Sequence, residues 1–167
     1  MVENTASPPA SANNWTVLSI LIIAFVAVGG LVGYLTNSGE SFWYRGLEKP
    51  PFNPPGYLFG IVWPLLYALM GIATWMIWQS PKSPQRTRAL QLFGVQLAFN
   101  YIWPFLFFAF QMIAVAAGWI LGLIVILAFA IRAFSRIKPV SAVLLLPYFA
   151  WSVFAYILNA SILYLNA

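Results

Sequence analysis

Five long apolar stretches, none with a charged residue in its interior, dominate the sequence. A hydrocarbon core about 30 Å thick is crossed by about 20 consecutive apolar residues in a helix, and each stretch is long enough to do so. The stretches lack the period-two alternation that the strands of a membrane barrel require. The sequence therefore predicts an all-α membrane protein, a five-transmembrane-helix bundle. The predicted helices lie near residues 15–36, 57–78, 89–110, 112–131 and 140–164.

The composition favours a single membrane domain over residues 15–167. Hydrophobic residues make up 62% of the chain and charged residues 7%, whereas soluble domains are about one quarter charged. Residues 1–14 are rich in Pro, Ala, Ser and Asn and predict a disordered N-terminal tail. The first apolar stretch is too long for the core of a signal peptide, which indicates a retained helix.

The basic residues indicate an orientation. The net charge is +5, and most basic side chains are gathered in two connections between predicted helices: Lys82, Arg86, Arg88, Arg132, Arg136 and Lys138. Both connections fall on the same face of a five-helix serpentine as the N-terminus. Because Lys and Arg accumulate in cytoplasmic loops, the sequence predicts an N-in, C-out topology in a membrane that it does not specify. This explanation makes the lipid bilayer, and not nucleic acid, the expected partner of these charges.

Several classes of chemistry lack the residues that they need. The chain has no His and no Cys, so zinc sites, thiol redox chemistry and His-ligated haem are excluded, and neither a metal nor a required cofactor is expected. No Asp, Glu, Lys, Arg or His lies inside a predicted span, which argues against a charge-relay pump and leaves a serine nucleophile without a general base. No internal repeat of the kind found in many secondary transporters is visible.

The connection between the first two predicted helices, Asn37–Gly56, combines two proline pairs with aromatic and charged residues. Proline fixes its own φ and restricts the preceding residue, so this segment should be stiff. Two interpretations remain open. The segment is either a rigid connector with aromatics at the membrane interface or a lid over a site between the helices.

Aromatic and polar side chains recur at helical spacing inside three predicted spans. They are Trp63, Tyr67, Met70 or Gly71, and Thr74; Gln96, Asn100, Trp103 and Phe107; and Trp151, Ala155 and Asn159. Residues at this spacing share a face, and lipid cannot satisfy the amides, so these faces should meet inside. Counting about 1.5 Å per residue places Trp63, Asn100, Trp103, Trp151 and Ala155 about 10–20 Å below the face that carries the first connection. Kinks at Pro64, Pro104 and Pro147 would leave space for one cavity; plain core packing is the alternative.

Small residues form two ridges at four-residue spacing. Gly29 and Gly33 make one, and Ala114, Gly118 and Gly122 make the other. Such ridges let helices approach closely. The second ridge serves packing either within the chain or between two copies, and a homodimer is expected.

Three segments of the sequence, in this order and spacing, resemble one known family. They are "WYRGLEKPPFNPPGYLFGIVWPLLYALMGIA", "QLAFNYIWPFLFF" and "LLLPYFAWSVFAYILN". They are similar to the TspO/MBR family of tryptophan-rich sensory proteins and translocator proteins, also called the peripheral-type benzodiazepine receptor family. The resemblance covers essentially everything after residue 15.

The resemblance implies a five-helix bundle that binds tetrapyrroles such as protoporphyrin IX and, in animal members, cholesterol and synthetic ligands. Matching the motifs residue by residue puts a ligand site at Tyr44, Trp63, Asn100, Trp103, Trp151 and Ala155. The cholesterol-associated pattern ends in a basic residue, and no basic residue follows Tyr164, so sterol recognition of that type is not expected.

The main hypothesis is an integral membrane receptor or binding protein for tetrapyrroles and other flat hydrophobic ligands, with porphyrin as ligand and not as cofactor. The expected ligand-binding residues are Tyr44, Trp63, Tyr67, Gln96, Phe99, Asn100, Trp103, Phe107, Trp151, Ala155 and Asn159. Arg45 and Lys49 are expected to pair with propionates at the mouth, and a metal-free macrocycle should be favoured. The alternatives are a light- and oxygen-dependent porphyrin-degrading enzyme, with Trp63 and Trp151 as redox participants, and a transporter or scaffold.

Overall fold

The computed structural model describes residues 12–38 and 41–167, and every regular element within them is helical. In chain order these are α1 (Ala12–Leu35), α2 (Phe42–Gly46), α3 (Gly56–Trp78), α4 (Pro84–Pro104), α5 (Ile113–Ser135), α6 (Pro139–Val143) and α7 (Leu146–Leu165). A π-helical segment, Phe105–Ala109, continues α4. The stretch between α1 and α3, residues 36–55, contains α2 and is called loop one below.

Five spans of the described chain are long and apolar enough to cross a bilayer. They are Asn14–Leu35, Gly56–Trp78, Pro84–Ala109, Ile113–Ser135 and Pro139–Leu165. The predicted five-helix membrane bundle is therefore confirmed, and the chain is an integral, multi-pass protein. Most of the predicted tail at 1–14 lies outside the described residues, and α1 already includes its last three positions.

Two predicted helix boundaries need correction. The third span begins at Pro84 and not near residue 89, because the Ser83 hydroxyl accepts a hydrogen bond from the Arg86 backbone N–H at 3.1 Å and caps the helix. Proline is well suited to the first helical position, since its missing N–H has no partner there. The fifth span is not one continuous helix: α6 ends at Val143 and α7 begins at Leu146, with Pro147 in its first turn.

The helices form a closed ring in the order α1, α3, α7, α5, α4. α1 packs on α3 and more lightly on α4, while α5 packs on α4, α6 and α7. α4 and α5 form a tight antiparallel pair, because the turn between them is short and Gln111 adopts a left-handed φ of 58°. Tyr44, Phe107 and Leu158 belong to an apolar cluster beneath loop one, and a larger cluster including Ile77 and Phe134 fills the rest of the bundle.

The predicted small-residue ridges are confirmed only in part. A Cβ added to Gly29 would lie 2.6 Å from Cζ of the Tyr67 ring, so the close approach of α1 and α3 requires glycine there. Gly122 packs against Phe99 in the same way, at 3.3 Å. Gly33 and Gly118 have open space around the missing Cβ, so neither permits a close helix contact among the described residues.

Candidate functional site

A cavity of about 660 Å³ lies between α1, α3 and the end of α4, beneath loop one. This volume is within the range of about 300–1,000 Å³ that is typical of small-molecule sites. The side chains and backbone that line it are largely apolar. They come from Val26, Gly29, Gly30, Val32, Gly33, Ser38, Tyr44, Arg45, Lys49, Asn53, Pro54, Gly56, Phe59, Gly60, Trp63, Pro64, Tyr67, Asn100, Trp103, Pro104 and Phe108.

The inner wall of the cavity is an aromatic pair held by a buried amide. The Trp63 and Tyr67 rings stack with centroids 5.5 Å apart at 30°. The Tyr67 hydroxyl donates a hydrogen bond to Oδ1 of Asn100 at 2.8 Å, and the Tyr101 ring lies 5.7 Å from the Tyr67 ring. Because Tyr67 is contacted on several sides and is buried, this wall presents a fixed flat indole surface together with one amide.

Loop one forms the roof. The Ser41 hydroxyl caps α2 by accepting from the Tyr44 backbone N–H at 3.2 Å. This places the buried Tyr44 ring edge-on against Phe108, 5.3 Å away. The Tyr44 hydroxyl donates to Oδ1 of Asn53 at 3.2 Å, which joins the two halves of the loop. Burial raises the pKa of the Tyr44 phenol, so this donor stays protonated at neutral pH.

A second anchor ties the roof to the end of α7. The Asn166 side chain accepts from the Glu48 backbone N–H at 3.0 Å and donates to the Glu48 carbonyl at 2.9 Å. It also donates to the Ile162 carbonyl at 2.8 Å, and the Phe52 ring contacts Phe154 nearby. Of the two interpretations of this segment, the structure therefore favours a roof that is fastened at separate points over a cavity.

Two cations lie at the mouth of the cavity. Lys49 Nζ donates to the Leu47 carbonyl at 3.0 Å and lies 4.7 Å from the centre of the Tyr44 ring. The Arg45 guanidinium is exposed and lies over the Phe42 ring. Within residues 12–38 and 41–167, neither cation forms an ion pair with a carboxylate. Both are therefore available to an anionic group entering from the roof side.

The structure brings seven of the predicted site residues to the cavity wall: Tyr44, Arg45, Lys49, Trp63, Tyr67, Asn100 and Trp103. Six others do not line it: Gln96, Phe99, Phe107, Trp151, Ala155 and Asn159. The sequence predicted that Trp63 and Trp151 both line one cavity. The structure instead closes the cavity with α1, and the fifth span stands behind the wall.

The two outlying fifth-span residues with polar side chains have other surroundings. The Trp151 ring packs edge-on against Phe59, which lines the cavity in its place, with centroids 5.7 Å apart. Asn159 Oδ1 accepts from the Trp103 indole N–H at 3.3 Å, and its Nδ2 donates to the Ile113 carbonyl at 3.0 Å. Asn159 therefore holds a wall residue in position from outside the cavity.

On the third span, the ligand-facing stripe changes register at Pro104. The π-helical segment that follows this proline has a wider turn than an α-helix. Phe108 therefore reaches the cavity, whereas Phe107 turns into the buried cluster and stacks on Trp103 at 5.3 Å. Phe99 faces α5 instead, stacked on Trp119 at 4.1 Å.

Gln96 is the remaining outlier of this span. Its side chain is fully buried, and neither its Oε1 nor its Nε2 has a hydrogen-bond partner among the described residues. The sequence correctly predicted that this amide faces the bundle interior, but it lies below the cavity and not on its wall.

The wall contributed by α1 was missed. Val26, Gly29 and Gly33 follow helical spacing toward the cavity, and Gly30 joins them. The signal in the sequence is the pair Gly29 and Gly33, whose spacing was interpreted only as a helix-packing ridge. From α3, Phe59 and Gly60 were missed as well.

The fold and this cavity define a class: a polytopic helical membrane protein with an internal, mostly apolar cavity roofed by a structured loop. The family model of the TspO/MBR family matches residues 15–165. The chain therefore belongs to the TspO/MBR family, and membership supports a ligand-binding or sensory role in a membrane.

Individual relatives agree with this assignment. The chain is 37% identical over 152 residues to the tryptophan-rich protein TspO of Archaeoglobus fulgidus, covering 87% of this chain and 94% of the relative. It is 36% identical over 140 residues to the translocator protein of Bos taurus, covering 80% of each. The tryptophan-rich sensory protein of Cereibacter sphaeroides is 34% identical over 149 residues, covering 87% of this chain and 91% of that protein.

Proposed function

We propose that this protein is a membrane receptor or binding protein for tetrapyrroles such as protoporphyrin IX and for other flat hydrophobic ligands. The observation that carries the proposal is the cavity itself. It combines an aromatic wall at Trp63 and Tyr67 with two cations at the mouth, Arg45 and Lys49, which form no ion pair within residues 12–38 and 41–167.

The aromatic wall suits a planar ring. Offset stacking on an indole contributes about 0.5–1.5 kcal/mol per ring pair beyond the burial of area. The Trp63 ring is held by its contact with Tyr67, and the Asn100 amide lies beside them in an otherwise apolar wall. A macrocycle placed here would lose water from both faces and meet one polar group able to hydrogen-bond a pyrrole or carbonyl. The lining has no imidazole or thiolate, which supports a preference for a metal-free ring.

The mouth suits the acidic edge of such a ligand. Propionates of a porphyrin could reach Arg45 and Lys49 while the ring stays beneath loop one, because charge-assisted pairs form most readily where charged heads remain near water. With the predicted N-in, C-out orientation, which we retain in the proposal, this mouth opens on the non-cytoplasmic side. The porphyrin-degrading alternative invokes Trp63 and Trp151, of which only Trp63 lines the cavity.

Substitutions at Trp63 test the aromatic wall. We expect Trp63→Leu to weaken protoporphyrin binding by about 2- to 13-fold, since a stack of about 0.5–1.5 kcal/mol is lost. The Kd of Trp63→Phe should lie between those of wild type and Trp63→Leu. The shift of the porphyrin Soret absorption band in detergent measures the Kd without depending on the number of tryptophans.

Trp151→Phe is the matched control, because it removes an indole from the same neighbourhood but keeps a ring against Phe59. We expect its Kd to stay within about twofold of wild type. That change is well below the tenfold change that corresponds to about 1.4 kcal/mol. Equal losses at both positions would contradict binding in the observed cavity, which Trp151 does not line, and would indicate a site that both tryptophans share.

The cations at the mouth are tested with a pair of ligands. We expect the double variant Arg45→Gln, Lys49→Gln to bind protoporphyrin about 2- to 30-fold more weakly, since exposed ion pairs contribute about 0.2–1 kcal/mol each. The dimethyl ester, which lacks carboxylates, should be unaffected. Added salt should shrink the difference between acid and ester in the wild type.

The control is Lys82→Gln, Arg88→Gln, which removes the same charge from exposed positions at the other end of the bundle. It should leave the binding of both ligands unchanged. If acid and ester lost affinity equally in the Arg45, Lys49 variant, the proposed propionate contact would be rejected.

A further inference from the structure

We infer that the cavity opens sideways into the bilayer through a gap between α1 and α3, and that membrane-dissolved ligands enter by this gap. The inference rests on the proposed binding function and adds its route of access. The gap, called the side portal below, is bordered by Gly30 and Gly33 on α1 and by Gly60 and Pro64 on α3. All four residues line the cavity.

The two helices touch closely in one half of the membrane and separate in the other. A Cβ on Gly71 would lie 2.9 Å from Cγ1 of Ile22, and one on Gly29 would overlap the Tyr67 ring. One turn nearer loop one, Gly33 has no atom within 4 Å of its missing Cβ. The close contact between α1 and α3 therefore ends at the level of Tyr67, where the cavity begins.

The residues of the portal also belong to the outer surface. Gly30 lies on the same helical stripe as Ile23 and Tyr34, whose side chains are 66% and 82% exposed. On α3, Gly60 follows Tyr57, which is 71% exposed, by one turn. Gly30 and Gly60 themselves are exposed and have open space around the missing Cβ. At these positions the cavity wall and the lipid-facing surface are the same, so no side chain separates them.

Other sides of the cavity are closed by specific contacts. The Tyr101 hydroxyl donates to the Phe25 carbonyl at 3.1 Å and joins α4 to α1. α2 covers the end of α4 through Tyr44 and Phe108, and Asn166 fastens loop one to α7. Among the described residues, the α1–α3 side has no comparable bridge above the level of Tyr67.

The depth of the portal fits an amphiphilic planar molecule. Gly60 is four residues inside the start of α3 and Gly30 five residues from the end of α1, which places both about 6–8 Å below the helix ends. A ring at that depth lies in hydrocarbon while its charged groups remain at the headgroups. At the inner end of the passage, Asn100, only 5% exposed, offers an amide to the entering molecule.

Kinetics in reconstituted vesicles test the route. Gly30→Leu and Gly60→Leu place a side chain in the portal, and we expect them to slow both the association and the dissociation of vesicle-dissolved protoporphyrin by about tenfold. Gly94→Leu and Gly118→Leu are matched controls, because these glycines also have open space but do not line the cavity. They should leave both rates unchanged. Faster dissociation in the portal variants would mean that leucine merely fills the site, and would overturn the inference.

A second measurement needs no ligand. In wild type, lipids with brominated acyl chains should quench the fluorescence of Trp63, which is obtained as the difference between wild type and Trp63→Phe. Gly60→Leu should remove that quenching. If protoporphyrin fails to bind but Trp63 is quenched in this way, the portal stands and the proposed function fails. If protoporphyrin binds at equal rates in portal and control variants and lipid does not quench Trp63, the portal is wrong and the binding function stands.

Discussion

Gly29→Ala is expected to lower the stability of the bundle by about 1–3 kcal/mol, the usual cost of adding a methyl group to a filled contact. The added Cβ would overlap the Tyr67 ring. That ring cannot move aside easily, because it stacks on Trp63, contacts Tyr101 and donates a hydrogen bond to Asn100. α1 would have to shift away from α3. Thermal unfolding in detergent, followed by circular dichroism, measures the loss.

The neighbouring residue supplies the control. Gly30 is in the same helix, and its added Cβ would meet nothing within 4 Å. Gly30→Ala should therefore be neutral or stabilising by up to about 1 kcal/mol, from helix propensity alone. In a Tyr67→Leu background the cost of Gly29→Ala should largely disappear, since the coupling lies in the ring. Equal stability of the Gly29 and Gly30 variants would show that α1 and α3 are not held at this distance.

Asn166→Ala is expected to loosen loop one while leaving ligand release through the side portal close to wild type. The substitution removes both hydrogen bonds to the Glu48 backbone. At about 0.5–1.5 kcal/mol for each bond, the open state of the roof should become about 5- to 150-fold more populated. Hydrogen exchange of the backbone amides around Glu48 measures this opening. Protoporphyrin dissociation should stay close to the wild-type rate, because the side portal does not depend on this anchor of the roof.

Gln91→Ala serves as the control, because it removes an exposed amide of α4 that makes no hydrogen bond among the described residues. It should change neither exchange nor dissociation. Unchanged exchange in the Asn166 variant would mean that the aromatic contacts of Tyr44 hold loop one without the second anchor. Faster exchange together with faster ligand release would place the exit past the roof and contradict the side portal.

The membrane spans follow from composition and length, because each backbone polar group in lipid must be satisfied within its own helix. That requirement is local, so it is visible in the hydropathy of a single segment. The predicted start of the third span was less accurate. Ser83 caps α4 with a hydrogen bond and Pro84 follows it, so the helix begins earlier than predicted.

Helical spacing predicted that Trp63, Tyr67 and Asn100 share interior faces, and these residues do line the cavity. Helical spacing also predicted that Phe107 lines the cavity, and this was wrong. The π-helical segment after Pro104 rotates the following residues, so that Phe108 faces the cavity instead. A proline within a span predicts that the helix is distorted there, but it does not predict which side chains then face the cavity. That depends on the neighbouring residues against which the rotated side chains pack.

The sequence by itself determined the solvent, the helices and most of the chemistry at the mouth and aromatic wall. Only the tertiary structure decided which helices enclose the cavity. The sequence pattern predicts Trp63 and Trp151 equally as cavity residues, yet Phe59 lies between Trp151 and the cavity. The opposite wall is formed by backbone and glycine residues of α1. The physical reason is that a cavity is made where side chains are missing and helices diverge. A linear pattern records the side chains that are present, and it leaves open how far apart two helices will stand.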